Sequence, residues 1–105
     1  MTKTANPVRG EAMILVGGAA IMLRPSFAAL VAAEQELGPL FALVERAAEG
    51  RLGIAEMAGL FFHCAADRPE EITRERIGQA IAEAGLARAT PALRLLLTQI
   101  LQGRV

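Results

Sequence analysis

The chain carries very little aromatic surface: no tryptophan, no tyrosine and four phenylalanines among 105 residues. It has a single cysteine, Cys64, and a single histidine, His63, and its 11 Lys plus Arg balance 11 Asp plus Glu. Each scarcity excludes something. Without Trp or Tyr there is little to stack on bases, and without a basic excess there is no field to hold a polyanion, so nucleic acid is not an expected partner. A lone cysteine cannot close an internal disulfide, which points to a reducing compartment and makes the cytoplasm the expected location. No apolar run approaches the ~18 residues of a membrane span, and none is expected to enter a bilayer. The stretch Ala12 to Leu23 is not a signal-peptide core either, because Glu11 precedes it, Gly17 and Gly18 interrupt it, and Arg24-Pro25 follow.

What the chain does have is aliphatic mass. At 53% hydrophobic and 21% charged it is not a disordered polymer. A single domain spanning 1–105 is expected, large enough to bury roughly 65% of its unfolded surface without metal or disulfide support. The core is expected to be built from Ala, Leu, Ile and Met.

The most informative segment is the apolar run closed on itself by Gly17-Gly18. Both central positions of a type I′ turn require positive φ, which glycine adopts without a Cβ clash, so a β-hairpin over 10–24 is expected. A two-residue turn between Val16 and Ala19 sets Leu15 across from Ala20, Ile14 across from Ile21 and Glu11 across from Arg24, an ionic pair at the open end. One face then carries Ala12, Ile14, Val16, Ala19, Ile21 and Leu23; the other carries Met13, Leu15, Ala20 and Met22. A two-stranded ribbon is marginal alone in water, and one helical layer covers one face. Either helices wrap both sides, or Met13, Leu15 and Met22 face a protein partner.

Beyond the ribbon, punctuation predicts a bundle of four to five short helices over 26–103, with residues 1–8 as a flexible arm. Ser26 after Pro25 is a natural N-cap for a helix over 27–37, with Phe27, Leu30, Val31 and Leu37 as its apolar stripe. Pro39 opens a second helix over 39–49, and Ile54, Met57, Phe61 and Ala65 line a third over 54–66. Thr73 and Gly85 bracket a fourth with a narrow stripe of Ile77, Ala80, Ile81 and Ala84. Thr90 and Pro91 start a fifth helix that reads as Leu93, Leu96, Leu97, Ile100 and Leu101 on one side, with Leu95 outside. The fold class is therefore α+β: an N-terminal two-stranded antiparallel hairpin followed by helices. Charge is uneven along it, since residues 25–50 hold Glu34, Glu36, Glu45 and Glu49 against Arg46, whereas 84–105 hold Arg88, Arg94 and Arg104 with no acid.

Catalytic chemistry finds no footing. His63 and Cys64 are neighbours on a helix, where successive side chains diverge by ~100°, so they form no nucleophile and base pair. Cys64 falls on the apolar stripe as a small hydrophobe, and His63 is expected on the solvated side near Glu56 and Asp67. Glu70-Glu71 read as an acidic loop before a helix N-terminus. No spacing matches a zinc site or a phosphate-binding glycine loop, so no enzyme activity and no cofactor is expected.

The order Asn6 to Glu11 with Arg9-Gly10-Glu11, the glycine-closed hairpin, Leu23-Arg24-Pro25-Ser26-Phe27, then Ala29-Leu30, Glu34 and Leu37-Gly38 resembles the gene transfer agent tail protein family. That family is described both as phage tail assembly chaperones and as tail tube proteins. The resemblance is specific over residues 5 to about 50 and architectural beyond. It implies a non-enzymatic assembly protein, a tail assembly chaperone that binds the tape measure protein, with a structural tail tube component or a generic small helical protein-interaction module as the alternatives. A tape measure or tail tube protein is the expected partner, and self-association and entry into a phage-like particle are compatible with it. Under it, Met13, Leu15 and Met22 are the partner-facing side chains, and Glu11, Gly17, Gly18, Arg24 and Ser26 are structural.

Overall fold

The computed structural model describes residues 12–65 and 67–103. The expected arm and Glu11, with its pairing to Arg24, lie outside them. Strands β1 (Ala12–Val16) and β2 (Ala19–Leu23) form an antiparallel ribbon in which Leu15 faces Ala20 and Ile14 faces Ile21. Gly17 and Gly18 close it at φ of 57° and 82°, both positive as a type I′ turn demands. Five helices follow: α1 (Phe27–Leu37), α2 (Leu40–Ala48), α3 (Ile54–Cys64), α4 (Arg74–Ala84) and α5 (Leu86–Gln102). The architecture is the expected α+β one.

Helix α3 is the centre of the core. Its Met57, Ala58, Leu60, Phe61 and Cys64 are buried, with α1 on one flank and α4 on the other. The inner face of the ribbon, Ala12, Val16, Ile21 and Leu23, closes the same core together with Leu43, Ile77, Ile81 and Leu96. Ribbon and helices are tied by backbone as well: the Arg24 N–H donates to the Cys64 carbonyl at 2.8 Å. The Ser26 hydroxyl accepts from the Ala29 N–H at 3.2 Å, so the expected N-cap of α1 forms and fixes where the chain turns from strand to helix.

Three helical expectations need correction. In α1 the buried residues are Ala29 and Ala33, while Phe27 and Val31 are exposed. Its alanine edge permits closer approach to α3 than a Phe-Val edge would, and it takes the inner side. The fifth helix does not start at Thr90. Gly85, at φ 94°, ends α4 and directly precedes Leu86, so α5 begins with no intervening loop. Thr90 then lies inside the helix and its hydroxyl donates back to the Leu86 carbonyl at 2.9 Å instead of capping. Pro91 removes one ladder N–H there, on a side where Ala87 and Pro91 are both exposed to water. Finally, Leu95 is half-buried against the core and Leu101 is exposed, the reverse of the expected arrangement on α5. The earlier start lets residues such as Ala89 and Ala92 supply the buried face.

No single helix among the described residues is long and apolar enough to cross a membrane. Helices α1 and α2 reach that length only as a pair, and they bend by 76° at their junction.

Candidate functional site

The ribbon has one covered and one open face. Helices α4 and α5 pack on the β1 side, and among the described residues Met13, Leu15 and Ala20 of the outer face are exposed. Leu15 is 64% exposed and Met13 41%, large values for apolar side chains on consecutive outward positions of one strand. Met22, the third expected partner-facing residue, is half-buried, as Ile14 of the inner face is, and lines a small groove with Asp67, Arg68 and Pro69. The outer face is thus open at Met13 and Leu15 and shallower toward Met22.

Next to β1 the open face runs into an apolar groove of about 320 Å³, floored by Ala80, Ala84 and Ala89 and bordered by Met13, Leu15 and Arg88. Small residues on α4 and α5 create this hollow, since longer side chains there would fill it. Arg24, expected to pair with Glu11 at the open end, places its guanidinium 3.0 Å from the Asp67 carboxylate.

A second apolar surface was not legible in the sequence. Phe41 is 77% exposed and Leu101 is exposed as well, while Phe27, at the start of α1, is 86% exposed without lining that surface. Leu40, Phe41, Val44, Ile100 and Leu101 surround a groove of about 170 Å³ in which Glu34 is the one charged lining residue. A signal existed for Phe27: it shares a helical stripe with Val31 and Glu34, and a stripe that ends in a carboxylate is a poor candidate for the core side.

The polar centre of the molecule is structural. His63 is not solvated as expected: its Nε2 lies 2.7 Å from Glu36 Oε1 and its ring meets Phe62 edge-on. Arg74 Nη2 donates to the same oxygen at 2.6 Å, and the other guanidinium nitrogen pairs with Oε2. Bonding to Arg74, then to His63, holds the Glu36 carboxyl down at about 2 from its ordinary 4.5. An acceptor-only carboxylate there requires that His63 Nε2 carry the hydrogen. The Arg68 guanidinium covers the Phe62 ring at 3.9 Å, so α1, α3, α4 and the α3–α4 connection meet in one cluster. Elsewhere Glu56 accepts from the Gly53 N–H at 3.1 Å and pairs with Arg46, and both contacts lower its pKa. Cys64 is a free, buried thiol whose pKa burial pushes up to about 12. Among the described residues, no three His, Cys, Asp or Glu side chains are placed to hold a metal ion.

The molecule therefore offers surfaces: an open ribbon face, an alanine-floored groove and an aromatic ledge. Searches of curated proteins and of solved structures each find nothing that matches the chain. A family model does match, and it covers the ribbon and every helix. It is that of the phage tail tube protein GTA-gp10, aligned over residues 9–103, and the chain belongs to this gene transfer agent tail family.

Proposed function

We propose that the protein is a non-enzymatic chaperone of tail assembly that covers an apolar helical stretch of the tape measure protein with the outer face of its hairpin. The observation that carries this reading is the exposure of Met13 and Leu15 on a ribbon whose other face buries Ala12, Val16, Ile21 and Leu23 in the core. A ribbon with two apolar faces and helices on one of them has surface to give, and an amphipathic helix laid along a groove is a recurrent way to use it. Methionine suits a client of varied sequence because its unbranched, polarisable side chain repacks at little cost.

A second reading is favoured by the family's description as a tail tube protein. A tube subunit would polymerise through backbone groups on the free ribbon edges. Coexpression with the cognate tape measure protein separates the two. The chaperone reading expects a soluble complex, and it expects Met13→Ala/Leu15→Ala/Met22→Ala to lose capture at least ~10-fold while the helical circular-dichroism signal persists, since Met13 and Leu15 are exposed and Met22 is only half-buried. Undiminished capture by the folded triple variant would defeat it, and open-ended polymers without capture would favour the tube.

A further inference from the structure

We propose that the chain associates with a second copy of itself head to tail, Phe41 and Leu101 of one molecule entering the alanine-floored groove beside the hairpin of the next. The two surfaces belong to opposite ends of α5. Arg88 and Ala89, in its first turn, border the groove, whereas Ile100 and Leu101, in its last, border the aromatic ledge. At 1.5 Å per residue these ends stand ~20 Å apart, too far for a molecule to fill its own groove.

Exposure and charge both fit. Phe41, 77% exposed, and Leu101, exposed beside it, are open to a neighbour, and Ala80, Ala84 and Ala89 leave about 320 Å³ open in the groove to receive them. Each surface is apolar but for one charged lining residue, Arg88 in the groove and Glu34 on the ledge. Seating the ledge in the groove brings opposite charges together at the edge of an apolar contact. Pairing either surface with itself about a two-fold axis would bring like charges together, Glu34 on Glu34 or Arg88 on Arg88, which is unfavourable. The contact is accordingly heterologous and leaves every molecule with an unused ledge and an unused groove, so it repeats into a ring or a filament. It does not depend on the chaperone reading. Met13 and Leu15 border the groove and also form the open ribbon face, which puts the neighbour alongside any client.

The test is sedimentation velocity on the full chain over a wide concentration range. The wild type is expected to gain mass with concentration, and Phe41→Glu and Ala84→Glu, both at exposed positions, are each expected to stay monomeric. Mixed in equal amounts, these two variants are expected to form a dimer and nothing larger, because the mixture holds one working ledge and one working groove. Arg88→Glu, which sets like charges at the edge of the contact, is expected to weaken the assembly. A wild type that remains monomeric throughout, a Phe41→Glu variant that still assembles, or a mixture with no dimer would each overturn the proposal. Phe41 lines a different groove from Met13 and Leu15, so tape measure capture by Phe41→Glu reports separately on the chaperone reading.

Discussion

Glu36 is a carboxylate whose protonation in acid should loosen the bundle. Its carboxylate joins α1 to His63 of α3 and Arg74 of α4, and those bonds bring its pKa from 4.5 to about 2. For a secluded group that displacement would correspond to ~3 kcal/mol. The Glu36 side chain is 36% exposed, so solvent screening reduces the contribution to about 1 kcal/mol. The sign follows from the depression: stability from this group is fully present above the unfolded value near 4.5 and is lost as pH falls toward 2. Glu36→Gln removes the charge and keeps the shape. Urea unfolding of both proteins across that range should show the wild type more stable by about 1 kcal/mol at neutral pH, with the gap closing on acidification. A gap that stays constant down to pH 2, or no gap at neutral pH, would refute the assignment of the shift to these two bonds.

Two further predictions test the ribbon turn and the core. Gly18 sits at φ 82° with open space where a Cβ would be, so Gly18→Ala should cost ~1 kcal/mol from backbone conformation alone. Gly18→Asn should cost less, because asparagine tolerates the left-handed region, and equal losses for the two in chemical denaturation would show that the turn is not set by φ. Cys64, buried and with its thiol pushed up to about 12, should resist alkylation in the native protein and react only as fast as the chain opens. Labelling at the rate of a free thiol would contradict its enclosure.

The hairpin was readable because its signals are local. Two adjacent glycines fix the turn, the turn fixes the register, and the register assigns each side chain to a face. Ser26 and Gly38 likewise mark α1 through their own backbone geometry. What the sequence hid depends on neighbours far along the chain. Phe27 and Val31 are more apolar than Ala29 and Ala33, so composition favours the wrong edge of α1, and only the fit against α3 reverses the choice. The surroundings of His63 were equally hidden, since Glu36 is 27 residues before it and Arg74 reaches the same carboxylate from 38 residues beyond Glu36. At Thr90-Pro91 two real start signals were outweighed by Gly85, which ends one helix and starts the next within a single residue and leaves no loop to cap. The aromatic ledge was missed because helical periodicity tells which residues share a side, and not which side a neighbour occupies.

That one-residue joint at Gly85 also governs the hollow beside β1. Ala80 and Ala84 come from the helix before it and Arg88 and Ala89 from the helix after it, so one pair of backbone torsions sets the spacing between the two walls. Without spare chain between them, the walls cannot spread independently, and whatever enters must fit an aperture already determined when the bundle folds.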